Sequence, residues 1–137
     1  EFFRKDTLLG GPAASIAETS GGLPAELAQS FVEKPLLAER FAGIVASTQT
    51  SALLPYQIQF SATLADHKRI LSSAQLFRKD DQLVLVPIFE PLSGGLLARW
   101  TDITVQIAIP AGTLPPGTYT VTLVGARANS TWPLQVK

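Results

Sequence analysis

The only histidine of the chain, His67, stands between Asp66 and Lys68. A Ser-His-Asp triad needs an acid that reaches the far ring nitrogen, and a directly adjacent Asp on an extended strand points to the opposite face. His67 therefore reads as a solvated loop or strand-end residue. With no Cys in the sequence, a thiolate nucleophile, a disulfide framework, a Cys-ligated zinc and an iron–sulfur cluster are all excluded. The acids are scattered: Glu18, Glu26, Glu33 and Glu39 precede Asp66, Asp80, Asp81, Glu90 and Asp102 with no spacing that pairs two across a cleft. A calcium loop built from Asp80, Asp81 and Asp102 would need roughly six to eight oxygens, and no motif collects them. Asp80-Asp81 follows Arg78-Lys79, which reads as a solvated, charge-compensated turn. The Gly-Gly pairs at 10–11, 21–22 and 94–95 lack the context of a phosphate-binding loop. No catalytic residue, metal ligand or cofactor site is expected, and the chain does not read as an enzyme.

Aromatic side chains offer a second kind of chemistry. Trp100 follows Arg99 and precedes Thr101-Asp102, and Trp132 stands beside Pro133. A flat indole buries much area at little entropic cost, so either ring is a candidate platform for carbohydrate or protein, the alternative being a place in the core. Asn129-Ser130-Thr131 is a glycosylation sequon, meaningful in a eukaryotic secreted protein and otherwise a hairpin loop.

The elements that position these residues follow from composition and periodicity. The chain has 137 residues, with 11 Lys+Arg against 11 Asp+Glu and net charge 0. Its short basic pairs, Arg4-Lys5, Lys68-Arg69 and Arg78-Lys79, give no stripe for nucleic acid. Hydrophobic residues make up 46% and charged residues 16%, the profile of one folded domain with a real core. The strongest apolar run, residues 83–89, is far short of the ~20 residues a membrane-spanning helix requires. A sequence that opens at Glu1 and holds no Met reads as a processed product or an excised part of a longer chain.

Residues 1–22, rich in Gly and small polar side chains, read as a flexible leader or linker. From 23 to 47 the spacing predicts a helical extension: Pro24 suits a first turn, Leu27 and Phe31 share a face, and Leu37, Phe41, Ile44 and Val45 recur at i, i+4, i+7, i+8. Pro35 would break it into two short helices or kink it. Beyond residue 52 the period becomes two. Tyr56, Ile58, Phe60 and Ala62 alternate with polar residues, as do Ile103, Val105, Ile107 and Ile109, then Tyr119, Val121 and Leu123, and a closing strand carries Trp132, Leu134 and Val136. Residues 66–78 fit either period, and their neighbours favour a strand. Short strands divided by Gly/Pro turns predict a mainly β fold, an antiparallel sandwich over 52–137 with the helical extension packed on it.

Residues 109–123, Ile-Pro-Ala-Gly-Thr-Leu-Pro-Pro-Gly-Thr-Tyr-Thr-Val-Thr-Leu, resemble the penultimate-strand signature of immunoglobulin-like and fibronectin type III-like sandwiches. The resemblance implies a structural corner in which Leu114 packs beneath Tyr119, whose hydroxyl returns to the backbone. The same stretch, with Trp132-Pro133-Leu134-Gln135-Val136, is similar to the extracytoplasmic end of some bacterial membrane-anchored proteins such as anti-sigma factors. The sigma-binding zinc finger, the membrane span and the charged stalk of that pattern are absent from this sequence. The likeness therefore implies a sandwich and an envelope location more than sigma-factor regulation.

The function expected from these readings is a non-enzymatic, periplasmic, cell-surface or secreted module that binds another protein or a second copy of itself. Its candidate partner surface is the apolar face of the extension: Leu27, Phe31, Leu37, Phe41, Ile44 and Val45. Two alternatives are an extracytoplasmic sensor of a signalling protein anchored by an upstream segment, and a carbohydrate-binding module using Trp100 or Trp132.

Overall fold

The computed structural model describes residues 13–31, 35–92, 94, 95, 97 and 101–137. Alternation of apolar and polar side chains makes one face of each central strand a core face. In strand β4, Tyr56–Thr63, the residues Tyr56, Ile58, Phe60 and Ala62 are all buried while Gln57 and Gln59 face outward. Strand β7, Asp102–Ile109, runs antiparallel to β4 along its whole length, from Tyr56 opposite Ile109 to Thr63 opposite Asp102. Strand β2, Arg40–Val45, pairs with the other side of β4 and completes a three-stranded sheet in the order β2-β4-β7.

The second sheet packs across the core. Strands β5 (Arg69–Lys79) and β6 (Gln82–Pro91) form a hairpin closed by Asp80-Asp81, with Asp80 at φ 55. Strands β8 (Gly117–Leu123) and β9 (Ala128–Val136) form another. Two short segments, β1 (Ala17–Ser20) and β3 (Gln49–Thr50), share the outer side of β9, giving a six-stranded sheet in which β1 and β3 flank β9 and the order continues β9-β8-β6-β5. Side chains from both sheets, among them Phe60, Ile58, Leu83, Leu85, Leu123, Trp132 and Leu134, fill the space between them. The protein is a mainly β, two-sheet sandwich.

Three expectations need correction. The helical extension over 23–47 does not form. Among its described residues the helical content is one four-residue turn, α1 (Ala25–Ala28), and Phe41, Ile44 and Val45 lie on strand β2. Nothing sustains a longer helix: Pro24 at its start offers no side-chain cap, and the Ser30 hydroxyl takes the Leu27 carbonyl at 2.7 Å. Second, the sheets are not wholly antiparallel, because β3 runs parallel to β9 and β6 runs parallel to β8. A parallel pair needs a crossover, and here the chain from β6 to β8 crosses through β7 in the opposite sheet. Third, residues 17–20 of the expected leader are a strand, hydrogen-bonded to β9 from Ala17 opposite Thr131 to Ser20 opposite Ala128. Residues 1–12 lie outside the described residues. No helix among the described residues is long and apolar enough to cross a membrane.

A second, smaller apolar cluster lies on the outer face of the large sheet. Leu23, Leu27 and Leu37 pack there against Val84, Val86, Ile88, Phe77 and Val124. Strand β6 is therefore covered on both faces, which is why residues 83–89 read as a continuous apolar run instead of alternating. Where β6 passes beyond its pairing with β8, Leu36 takes over, accepting a hydrogen bond from the Phe89 amide at 2.9 Å. The buried Pro87, which has no N–H to donate, falls in that stretch.

Candidate interaction site

The six residues expected to form one partner-binding face are divided between β2, which carries Phe41, Ile44 and Val45, and the outer face of the large sheet, where Leu27, Phe31 and Leu37 lie. Phe41 is in the main core, its ring edge-on to Phe60 at 5.1 Å. Leu27 and Leu37 belong to the cluster on the outer face of the large sheet. Phe31 is half-buried edge-on to Phe77 at 5.9 Å, and Ile44 and Val45 are half-buried on β2. The chain covers most of this apolar surface itself. Trp100 lies outside the described residues.

Trp132 is 1% exposed, which leaves no ring face for a ligand. Its indole N–H donates to Tyr56 Oη at 2.9 Å, and that hydroxyl donates to the Ser47 carbonyl at 2.6 Å. Burial pushes the Tyr56 hydroxyl up to about 12, against a smaller opposing pull from the Trp132 hydrogen bond. This polar chain ties β4 of the three-stranded sheet to β9 of the six-stranded sheet and to the segment before β3, so it links the two layers across the core. Near the start of β8, Tyr119 Oη donates to the Pro115 carbonyl at 2.6 Å, and Leu114 is buried in the same core. The Arg78 guanidinium lies 5.5 Å above the Tyr119 ring.

Asn129 of the sequon is also buried, with both ends of its amide engaged. Its Oδ1 accepts from the Gly125 amide and its Nδ2 donates to the Gly22 carbonyl, each at 3.0 Å. It acts as an internal clasp between the start of β9 and the end of β1. Asp80 and Asp81 occupy a hairpin turn of one sheet while Asp102 begins β7 in the other, where its Oδ1 accepts from Thr63 Oγ1 at 2.8 Å. The structure does not bring these three together. Among the described residues no group of three or more His, Cys, Asp or Glu side chains is placed to hold a metal ion.

Grooves flank α1. One of about 760 Å³ is lined by Leu23, Phe31, Leu36, Leu37, Glu39 and Arg69, among others. Glu39 Oε2 lies there 2.5 Å from Arg127 Nε, an ion pair without hydrogen-bond alignment. The other, of about 550 Å³, is closed at one end by the ion pair between Glu26 and Lys79, whose ammonium is held above its usual range by that carboxylate.

Sheet edges are the remaining places where the backbone itself offers unpaired donors and acceptors, and proteins ordinarily blunt them with charge, Pro, bulges or brevity. Strand β1 has four residues and β3 two. Strand β2 carries Arg40 and a bulge between Ala42 and Val45, with Gly43 at φ 58. Strand β5 is bulged between Leu71 and Ser73 and carries Arg69, Arg78 and Lys79. Strand β7 has none of these. It is eight residues long, its register with β4 is unbroken, and it has no Pro and no charge beyond Asp102.

Among the described residues β7 has no strand on its second side. Every other residue of the strand turns its N–H and C=O that way. On its inner face Val105 and Ile109 are buried but Ile103 and Ile107 are only half-buried, so the apolar core is partly open along this edge. On its outer face Thr104, Gln106 and Ala108 lie beside Ser61, Gln59 and Gln57 of β4, an uncharged polar surface. Near the Ile109 end, the loop before β4 exposes Leu53 and Leu54 at 86% and 54%. Reading apolar side chains for a partner surface missed this edge, whose chemistry lies in the main chain. The available signal was an uncharged, Pro-free run over 103–109. Comparisons of the chain with protein families, with curated proteins and with solved structures find no match.

Proposed function

We propose that this chain is a non-enzymatic interaction or structural module of the cell envelope or of secreted proteins, built as an immunoglobulin-like sandwich, which binds an extended strand along the free edge of β7. The likeness to immunoglobulin-like domains is supported by the Tyr119–Pro115 corner and by β3 lying parallel to the last strand. The parallel β6–β8 pair is a departure from that pattern.

The observation that carries the binding reading is β7 itself: a long edge with regular register, no charge over 103–109, and half-buried Ile103 and Ile107 along it. An added strand would satisfy the outward backbone groups and cover the isoleucines at once. This is the logic of β-augmentation, in which main-chain bonds give affinity and alternate side chains give selectivity.

A synthetic peptide of residues 101–110, used as a probe strand and titrated in large excess into the full chain kept dilute, tests the reading. The expected result is a set of amide resonance shifts confined to β7 and its neighbours on β4, with β5 and β1 unaffected. Shifts spread over all edges, or no binding, would overturn it.

A further inference from the structure

We infer that the strand received by β7 is β7 of a second copy of this chain, paired antiparallel about a two-fold axis through Gln106. The inference rests on the reading of β7 as a binding edge and adds the identity of the partner.

Symmetry and the pleat restrict the register. Residues directly opposite in a ladder must point to the same face, so a two-fold axis perpendicular to the sheet has to set one residue opposite its own copy. With Gln106 on the axis, Thr104 faces Ala108 and Gln106 faces Gln106 on the outer side. On the inner side Ile103 faces Ile109 and Val105 faces Ile107. The paired run is then 103–109, and Asp102 stays outside it, already accepting a hydrogen bond from Thr63. No like charges meet, which few self-paired edges achieve because every charged residue is duplicated across the axis. Strand β5 illustrates the contrast, since self-pairing would also duplicate Arg69, Arg78 and Lys79. The aliphatic pairs cover the two half-buried isoleucines, and two three-stranded sheets become one continuous sheet of six strands. The exposed amides of Gln106 can donate to and accept from each other across the axis.

The absence of Cys allows a direct geometric test. Opposite residues on the axis have Cα atoms about 5 Å apart, within the range a disulfide spans. Gln59 lies beside Gln106 on the same outer face of β4, one strand further from the axis, so its two copies are about 14 Å apart and beyond that range. Under mild oxidation Gln106→Cys is expected to give a covalent species of twice the 14.6 kDa chain mass, while Gln59→Cys is expected to stay monomeric.

In sedimentation, the unmodified chain is expected to be a dimer, Gln106→Lys and Gln106→Glu each a monomer, and their equimolar mixture a dimer again. These variants alter an exposed side chain, and circular dichroism checks that each is folded. Equal cross-linking of the two Cys variants, or an unmodified chain that sediments as a monomer, would overturn the inference. If the chain is monomeric but the 101–110 peptide still shifts the β7 amides, the edge reading stands and only the second copy is wrong. If neither occurs, both fail.

Discussion

Replacing Tyr56 by Phe removes one oxygen from the middle of the core and disturbs two hydrogen bonds. The Trp132 indole N–H, 2.9 Å from that oxygen and on a side chain 1% exposed, loses its acceptor, and the Ser47 carbonyl loses a donor at 2.6 Å. Leaving a buried donor unsatisfied costs about 1–3 kcal/mol, so Tyr56→Phe is expected to lower unfolding free energy by roughly 2–3 kcal/mol near neutral pH, with the sandwich retained.

Alkaline pH gives the sharper signature. Tyr56 ionises near its ordinary 10.0 when unfolded and at about 12 when folded. Below pH 10 both states keep the proton and the hydroxyl's contribution is complete. Between 10 and 12 the unfolded chain releases the proton first, so stability falls as pH rises through that window. A separation of two pKa units corresponds to about 3 kcal/mol, similar to the cost of the substitution. The gap between wild type and Tyr56→Phe should therefore close almost completely by pH 12. Urea unfolding of both proteins at several pH values, with tyrosinate absorbance followed in the folded chain, measures this. A gap that stays constant across the window, or a neutral-pH gap below about 0.5 kcal/mol, would refute the reasoning.

Three further outcomes follow from other contacts. Phe41→Glu places a carboxylate in the core at a position 5% exposed, against Phe60, and is expected to unfold the sandwich, seen as loss of the cooperative thermal transition. Gly125→Ala sets a Cβ 2.5 Å from the Ala128 carbonyl oxygen and 3.0 Å from that of Glu39, both backbone atoms, and is expected to cost at least ~2 kcal/mol by urea unfolding. Asn129→Ala strips the Gly125 amide and the Gly22 carbonyl of their side-chain partner, with an expected loss of about 1–3 kcal/mol and faster hydrogen exchange along β1.

Periodicity made the regular strands legible. Tyr56 to Ala62 and Ile103 to Ile109 alternate without interruption because their ladder has no irregularity. Strand β2 imitated a helix for a physical reason: its bulge at Ala42/Val45 slips the phase of the alternation, so core-facing Phe41 is followed by half-buried Ile44 and Val45 at spacings of three and four. The bulge at Leu71/Ser73 likewise blurred β5, whose half-buried residues are Arg69 and Leu71 before it and Leu76 and Phe77 after it. Parallel pairing of β6 with β8 left no local trace, because it depends on where distant strands are delivered and not on their own pattern. Trp132 takes the core place that its residue type also allowed, whereas Asn129, which read as a sequon or a hairpin loop, lies on β9 and spends both ends of its amide inside the fold.

A β7 backbone that forms a binding edge occupied by a second β7 has amides whose exposure depends on concentration. Amide hydrogen exchange over residues 102–109 of the full chain, compared between dilute and concentrated solution, reads that edge directly. The outward-directed amides of β7 are expected to exchange freely when dilute and to gain protection on concentration, while those directed at β4 are protected throughout. Exchange rates along β7 that do not change with concentration would contradict it.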